Sequence, residues 1–319
     1  MVDIPVIDVA PLFADDPAPV AEVAAAIGAA CRGVGFFYVT GHAVTPALRD
    51  AAFAAARAFF ALPAAAKERL SIARSPHNRG YAGLGTEQLD PAATIDRKEA
   101  FNVGFDLAAD DPEVLAGRPF RGVNLWPDLP GWRATMLAYF DACQATGQAM
   151  HRAFAHDLGL SLDFCRAKID RPMASLRMLR YPGAGQDTAS GIGAGEHTDY
   201  GNITLLATDG EPGLEVRRRD GTWIDAAPPP GTLVCNIGDL LMRWTNDIYV
   251  STPHRVRIPA GERYSLAYFL DPNPETHVAV LPSCLAPGEP PRYPPVTAAD
   301  YLRSRLDATY IGPAMTATG

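Results

Sequence analysis

Apolar side chains in the first part of the chain recur at helical spacing. Val20, Val23, Ile27 and Cys31 are three or four residues apart, which places them on one face of a helix. The short aromatic and β-branched run Phe36-Phe37-Tyr38-Val39 follows and predicts a strand. The first third is therefore expected to be mainly helical, with one early strand.

Two further helices are predicted before the middle of the chain. Thr45-Pro46 has the pattern of a helix N-cap followed by proline at the first helical position. Apolar residues at helical spacing between Trp132 and Phe154 predict a long helix. The stretch from about residue 78 to 128 is rich in Gly, Pro and Asp, and indicates loops and short strands that cover another part of the protein.

From Ser175 onward the pattern changes to short alternating segments. Residues 176–181 alternate apolar and polar positions, and further runs end near Leu270. Asp220-Gly221 lies between two of these runs and is a strong hairpin signal. The pattern predicts a mainly β fold with flanking helices, built around an antiparallel sandwich or jelly roll.

We expect one domain over residues 1–319, divided into three regions. Residues 1–170 form an N-terminal helical covering region, 171–282 the β core, and 283–319 a C-terminal closing segment.

Composition narrows the class of partner. The formal net charge of −8 argues against a general affinity for nucleic acid or an anionic membrane surface. The sequence has neither an apolar run long enough to span a bilayer nor a secretion signal. Its five cysteines include no Cys-x-x-Cys pair, which fits a reducing compartment. We therefore expect a cytoplasmic protein that binds a small molecule, with no obligate protein partner evident.

One set of polar residues has the spacing of a metal site. His197 and Asp199 are two residues apart, so an extended strand would direct both side chains to one face. His254, at the start of another predicted strand, supplies a third ligand. Two imidazoles and one carboxylate on one face of an ion leave other coordination positions open, which suits Fe(II). These three residues are the predicted metal ligands and catalytic centre.

A second polar pair lies nine residues after His254. Arg263 and Ser265 are again two residues apart, on one face of a predicted strand. An arginine fork matches a carboxylate bidentately, and a serine hydroxyl adds a further hydrogen bond. Burying these groups beside a metal would be costly without an anion, so the pair predicts a site for the distal carboxylate of 2-oxoglutarate.

In this order, the motifs His197-x-Asp199, His254 and Arg263-x-Ser265 resemble the signature of the isopenicillin N synthase-like family of 2-oxoglutarate/Fe(II) oxygenases. The resemblance extends over nearly the whole chain. Its other matching segments are Ile4–Asp8, Gly35–His42, Lys98–Phe101, Asn124–Pro127, Gly231–Asp239 and Asp271–Pro274.

The resemblance implies a double-stranded β-helix core with Fe(II) inside one end. It also implies that 2-oxoglutarate and O2 are co-substrates, that succinate and CO2 are released, and that a C–H bond of a small organic substrate is oxidised, most simply by hydroxylation. Tyr181 stands where family members bind the 2-oxoglutarate carboxylate. Two residues earlier, Leu179 replaces the asparagine of the common plant pattern. Arg177 lies on the same strand face as Tyr181 and is expected to meet the metal-side carboxylate of 2-oxoglutarate or an acidic substrate.

In this family the covering loops and the C-terminal region contact the substrate. The residues expected to line that part of the site are Arg79, Tyr81, Phe101 and Tyr200.

Four alternatives remain open from the sequence. The same metal ligands serve iron oxidases of this family that do not use 2-oxoglutarate, and enzymes that fragment 2-oxoglutarate to ethylene. A β-barrel binding protein without catalysis, or a zinc hydrolase, would also fit two histidines and an aspartate. The Arg263–Ser265 pair has no role in a zinc hydrolase and favours the oxygenase.

Overall fold

A computed structural model describes residues 4–14, 18–87, 96–183 and 192–309. The α-helices in these ranges are Ala18–Arg32 (α1), Pro46–Phe60 (α2), Ala64–Glu68 (α3), Pro112–Leu115 (α4), Trp132–Asp157 (α5), Asp239–Trp244 (α6) and Ala298–Thr309 (α7). Short 3-10 helices occupy Ala10–Phe13, Ile72–Arg74, Arg166–Lys168 and Pro282–Cys284.

The strands form two principal sheets and one short pair. In chain order they are Val6–Asp8 (β1), Phe36–Thr40 (β2), Gly80–Ala82 (β3), Glu99–Gly104 (β4), Ser175–Tyr181 (β5), Ile192–His197 (β6), Ile203–Thr208 (β7), Leu214–Arg217 (β8), Trp223–Asp225 (β9), Leu233–Ile237 (β10), His254–Arg257 (β11), Arg263–Leu270 (β12), His277–Val278 (β13) and Val296–Thr297 (β14).

The larger sheet has eight strands in the order β1-β2-β10-β7-β12-β5-β4-β3, and the smaller has four in the order β6-β11-β8-β9. The pairings are antiparallel except for β1 with β2. β13 and β14 form the separate pair.

The two faces of the larger sheet contact different partners. On β12, Leu266, Tyr268 and Leu270 belong to a core shared with α1, α2 and α5. Ala267, on the opposite face, belongs to a second core that also includes Val256 of the smaller sheet. Alternate residues of one strand therefore face the helices or the space between the sheets. This is the predicted mainly β, jelly-roll core with helices packed outside it.

Local sequence signals explain several element ends. The Thr45 hydroxyl accepts a hydrogen bond from the main-chain N–H of Leu48, and Pro46 occupies the first turn of α2, as predicted. Asp220 and Gly221 form the turn between β8 and β9, where Gly221 has a φ of 86°. The predicted long helix is α5.

The covering region contains more strand than the helical pattern indicated. β1, β2, β3 and β4 all precede residue 170, and all four extend the larger sheet. The division at residues 170 and 282 remains a prediction. Among the helices in the described ranges, none has the length and apolarity needed to cross a membrane.

Candidate metal and co-substrate site

Strand pairing brings the three predicted metal ligands together. His197 ends β6, and His254 begins β11 directly opposite it in register. Asp199 lies two residues beyond the end of β6 rather than within the strand. Its Oδ1 is 3.9 Å from His197 Nε2 and 3.7 Å from His254 Nε2, and the ligand atoms all lie within 4.8 Å of one another. This spacing suits three ligands of one ion.

Hydrogen bonds determine which atom each ligand presents. The Nδ1 atoms of His197 and His254 lie 2.7 Å and 3.1 Å from the carbonyl oxygens of Gly195 and Thr252. Since a carbonyl can only accept, each Nδ1 carries the proton and each Nε2 has a lone pair for a metal.

The carboxylate of Asp199 is held in the same manner. Its Oδ2 accepts hydrogen bonds from the hydroxyl of Thr204 and, at 2.7 Å, from the side-chain amide of Asn236. Thr204 on β7 and Asn236 on β10 are opposite each other in register. Oδ1 is therefore the oxygen left facing the two imidazoles.

The electrostatic surroundings favour ligand-competent protonation states. Burial, together with the neighbouring His254, lowers the pKa of His197 to about 3. Burial acts to raise the pKa of Asp199, but the two imidazoles and the hydrogen bonds from Thr204 and Asn236 outweigh it and lower that pKa. At neutral pH His197 is uncharged and Asp199 is ionised, which are the forms that bind metal.

These ligands line a cavity between the two sheets that also receives Arg263, Ser265 and Tyr181. We call these last three residues the anion end of the cavity. Arg263 is 1% exposed, and its Nε donates to the carbonyl of Glu211 at 3.2 Å. Its guanidinium carbon lies 5.1 Å from the centre of the Tyr181 ring. Within the described ranges, Arg263 Nη1 has no hydrogen-bond partner, so the anion end has a buried donor for an anionic ligand.

Arg177 also lines the cavity, as its position on β5 predicted, but its guanidinium bonds to protein carboxylate. Its Nη2 lies 2.5 Å from Glu87 Oε2, and Lys98 Nζ lies 3.5 Å from the same oxygen. Lys98 also donates to Asp96, whose Oδ1 accepts from the main-chain N–H of Gly195 at 2.9 Å. We call Glu87, Asp96, Lys98 and Arg177 the charge network.

The charge network is connected to the predicted metal ligands. Gly195 donates to Asp96 through its N–H and accepts from His197 through its carbonyl. Burial opposes ionisation of Glu87, but the charges of Arg177 and Lys98 lower its pKa to about 2. Glu87 is thus ionised at neutral pH, and the Asp96–Gly195 hydrogen bond ties the network to the strand that carries His197.

Two of the four predicted substrate residues line the cavity. Tyr200 follows Asp199 and packs under the guanidinium of Arg305 at 4.8 Å. Arg79 is 3% exposed, and donates to Asn124 Oδ1 and to the carbonyls of Phe105 and Phe120.

Tyr81 and Phe101 lie elsewhere, which corrects the expectation that they line the cavity. Both belong to the core on the helix side of the sheet, and the Tyr81 hydroxyl donates to Glu99 at 2.6 Å. The physical reason is strand alternation on β4, where Asn102 and Gly104 face the cavity and Phe101 points the opposite way.

Several residues that line the cavity or hydrogen-bond to residues of the site were not assigned a role from sequence. They are Glu87, Asp96, Lys98, Asn102, Thr204, Asn236 and Asp271. Lys98, Asn236 and Asp271 lie within segments that carry the family resemblance, which is the signal that could have identified them. Leu179 lines the cavity opposite Ser265 in register, so the residue that replaces the plant asparagine adds apolar surface there.

Comparison with known proteins agrees with this geometry. Residues 4–129 match the family described as "non-haem dioxygenase in morphine synthesis N-terminal". Residues 173–272 match the 2OG-Fe(II) oxygenase superfamily. The 2-oxoglutarate-Fe(II) type oxidoreductase hxnY of Emericella nidulans is 35% identical over 314 residues, covering 96% of this chain and 90% of the relative.

Solved structures extend the likeness to the whole fold. A full-length Neurospora crassa protein in complex with alpha-KG has a TM-score of 0.84 and 35% sequence identity, covering 96% of each chain. The same Neurospora crassa protein in complex with alpha-KG and thymine has a TM-score of 0.83 and 34% identity, again over 96% of each chain.

Proposed function

This chain belongs to the isopenicillin N synthase-like family of 2-oxoglutarate/Fe(II) oxygenases, and we propose that His197, Asp199 and His254 are its iron ligands. The donor set fits the metal, since two neutral imidazole nitrogens and one carboxylate oxygen converge and leave the other side open to ligands. The two Nδ1–H groups and the Asp199 Oδ2 contacts hold the donor atoms in place before the metal arrives.

The observation that carries the proposal is the buried Arg263 in the same cavity. A guanidinium with an unpartnered Nη1, 1% exposed and without a carboxylate among its described contacts, is costly unless an anion binds there. We assign the distal carboxylate of 2-oxoglutarate to Arg263 and Ser265, with the Tyr181 ring and hydroxyl beside it. Arg263 lies at one end of β12. Phe269, near the other end, pairs with Thr204, which bonds to the proposed iron ligand Asp199, and this separation suits a diacid that spans both.

When bound, Fe(II) and 2-oxoglutarate supply oxidation by O2 with release of succinate and CO2. The residues of this chain bind and orient the metal and the co-substrate, and they exclude water from the site. Neutral His197 and ionised Asp199 hold the metal without competing protons, and Arg263 fixes the co-substrate. The cavity walls from both sheets surround the reacting groups.

We further propose that the reaction is hydroxylation of a C–H bond in a small organic molecule. The Neurospora crassa complex with thymine supports a ligand of that size, since the two folds agree over 96% of each chain. Arg79, Arg177 and Tyr200 form walls of the substrate region. The bonding of Arg177 to Glu87 favours a role in shaping that wall over capture of a substrate carboxylate. We also propose that the chain forms a single domain and acts in the cytoplasm.

The experiment that tests the proposal needs no substrate. Metal-free protein is mixed with Fe(II) and then titrated with 2-oxoglutarate without oxygen, and a visible charge-transfer band is recorded. We expect a saturable band that is absent in His197→Ala. Iron binding without a band would contradict the assignment of the co-substrate, and failure to bind iron would contradict the assignment of the metal ligands.

A further inference from the structure

One end of the cavity is left for the substrate once 2-oxoglutarate is assigned to Arg263. Strand pairing locates it, because Phe269 of β12 lies opposite Ser175 of β5, and Ser175 lies opposite Gly104 of β4. Arg263 and Tyr181 form the pair at the other end of β12 and β5. We call the part of the cavity around Gly104, Ser175 and Phe269, which all line it, the far end.

The far end adjoins the proposed metal ligands. Phe269 also lies opposite Thr204 of β7, whose hydroxyl bonds to Asp199. Tyr200, which follows Asp199 in the chain, lines the cavity as well. A molecule held at the far end is therefore close to the metal, as the substrate of an oxygenase must be.

Helix α7 contributes an apolar surface to this part of the cavity. Leu302 and Leu306 are four residues apart, so they lie on one face of the helix, and both line the cavity. Both side chains are half-buried, which leaves part of each one open to a ligand. Between them, the Arg305 guanidinium lies 4.8 Å from the centre of the Tyr200 ring and 3.7 Å from Asp239 Oδ2. These contacts place α7 beside the segment that carries Asp199.

The covering region contributes Phe120, which is also half-buried and lines the cavity. Its φ is 58°, a backbone conformation that a bulky side chain rarely adopts. Its carbonyl accepts from Arg79 Nη2 at 3.0 Å. Arg79 itself packs on Gly104, where an added Cβ would overlap its guanidinium. Arg79 therefore holds the strained Phe120 near the far end, and such strain is concentrated at ligand sites.

Charged side chains in the cavity wall outside the anion end are balanced within the protein. The charge network contains two cations and two carboxylates in direct contact. Arg79 gives its Nη1 and Nη2 hydrogen bonds to three protein oxygens, and its Nε is buried. One of those oxygens belongs to Asn124, whose amide donates to the Asp106 carboxylate at 3.0 Å. These cations are therefore already matched by protein groups.

The remaining polar side chains that face a substrate are uncharged. Every lysine and arginine of the chain lies within the described ranges, and those that line the cavity are Arg79, Lys98, Arg177 and Arg263. His77 also lines it, and burial, together with the charge of Arg79, lowers the pKa of that imidazole, so the ring is neutral at neutral pH. The half-buried Ser175 supplies a neutral hydroxyl.

We propose that the primary substrate is an uncharged molecule whose apolar part packs against Phe120, Leu302 and Leu306. An ion at the far end would lose hydration without gaining an unmatched counter-charge, whereas an apolar group removes these half-buried side chains from water. This inference rests on the proposed function, because it takes the anion end as occupied by 2-oxoglutarate. It makes Phe120, Leu302 and Leu306 specificity-determining residues.

The test uses three probes with one ring and different charges: neutral 4-methylbenzamide, anionic 4-methylbenzoate and cationic 4-methylbenzylamine. Each is titrated to about 10 mM into protein loaded with Fe(II) and saturating 2-oxoglutarate without oxygen. A shift of the charge-transfer band reports binding beside the metal, while a loss of the band that added 2-oxoglutarate reverses reports displacement from Arg263. We expect the neutral probe to bind at least about tenfold more tightly beside the metal than either ion.

Variants of α7 test the apolar contact. Leu302→Ala and Leu306→Ala should each weaken binding of the neutral probe about fivefold, because each removes apolar surface from the cavity wall. The affinity for 2-oxoglutarate, read from the same band, should not change. Ser304→Ala is the matched control, since this residue is exposed on the same helix, and it should bind the probe as the wild-type protein does.

Glu87→Gln tests the charge argument in the opposite direction. It removes the carboxylate that contacts both Arg177 and Lys98, so the anionic probe should gain about tenfold in affinity relative to the neutral one. The band reports whether the metal site of this variant is folded. If it is not folded, the order of the probes in the wild-type protein and the α7 variants decide the question.

The outcomes distinguish the two proposals. If no band forms in the wild-type protein, the proposed function fails and this inference fails with it. If the band forms but either ion binds beside the metal as tightly as the neutral probe, or the neutral probe does not bind, the inference alone is overturned. Equal affinities of the neutral probe for Leu302→Ala, Leu306→Ala and Ser304→Ala would also overturn it.

Discussion

Arg263 and Arg177 lie on adjacent strands and line the same cavity, yet their guanidinium groups have opposite surroundings. Arg177 bonds to Glu87, which also contacts Lys98. Arg263 bonds to one main-chain carbonyl, and its Nη1 has no partner among the described residues. Burial of an arginine beside a metal site therefore does not by itself indicate a ligand. A guanidinium neutralised within the protein is part of the architecture, and one left short of an anion marks a binding position.

The largest expected effect is a loss of stability, and it tests Arg177, the arginine that is neutralised within the protein. Glu87→Gln removes the carboxylate that contacts both Arg177 and Lys98, and should lower the free energy of unfolding by about 3–5 kcal/mol. Urea unfolding of the metal-free protein measures it. Glu262→Gln is the matched control, since the Arg180–Glu262 pair is partly exposed and should contribute less than about 1 kcal/mol. Equal losses in the two variants would show that the charge network is not a buried structural unit.

The next effect concerns the co-substrate and tests the other arginine. Arg263→Gln should weaken 2-oxoglutarate binding about a hundredfold, because it removes a charge-assisted, bidentate contact. Arg177→Gln, on the paired strand, should change that affinity by less than about threefold. Anaerobic titration of the charge-transfer band measures both. A larger loss in Arg177→Gln than in Arg263→Gln would reverse the assignment of the two arginines.

A weaker effect is expected at the metal. Thr204→Val removes a hydrogen bond to Asp199 Oδ2 and should weaken Fe(II) binding about tenfold, as loss of an outer contact to a ligand typically does. Competition with a fluorescent chelator gives the affinity. Thr208→Val on the same strand is the control, because Thr208 is paired with Ser265 and not with a metal ligand. Unchanged iron affinity in Thr204→Val would mean that Asn236 alone orients the carboxylate.

The least pronounced effect is a pH dependence of stability. Glu87 has a pKa of about 2 in the folded protein, below its usual value near 4.5. The unfolded chain therefore binds more protons as pH falls, and the stabilisation present above pH 4.5 is lost progressively toward pH 2. Between pH 7 and about 3.5 the wild-type protein should lose about 1 kcal/mol more than Glu87→Gln. If the urea midpoints of the two proteins changed with pH by the same amount, the low pKa of Glu87 would be contradicted.

The grouping of the proposed metal ligands could be predicted from the sequence, because the residue types and their spacing are visible locally. Imidazole and carboxylate at i and i+2, a second histidine and an arginine–serine pair are each visible within a few residues. The structure brings His197, Asp199 and His254 within ligand distance of one another, and helix α5 and the Asp220–Gly221 hairpin occur as predicted.

Contacts across the fold were not predictable in the same way. Alternation shows which residues of a strand share a face, but not which strands become neighbours. Thr204 and Asn236 therefore met Asp199 only through the pairing of β7 with β10. Glu87 and Arg177 are 90 residues apart, and nothing in either segment indicates the other. Tyr81 and Phe101 were assigned to the wrong face because the sequence gives the alternation of β3 and β4 without its phase.

The arrangement of β12 limits the ways in which this enzyme can diversify. The proposed co-substrate residues, at 263 and 265, and the cavity-lining residues at 269 and 271 lie in one row of alternate positions. Point substitutions at 269 or 271 can change the molecule that is accepted without disturbing the residues that bind the diacid. Insertion or deletion of a single residue near Ala267 turns one set of side chains toward the helices, and so separates two ligands that must meet at one metal. New specificities in this lineage should therefore arise by replacement within β12 and by changes of length only in the loops around it.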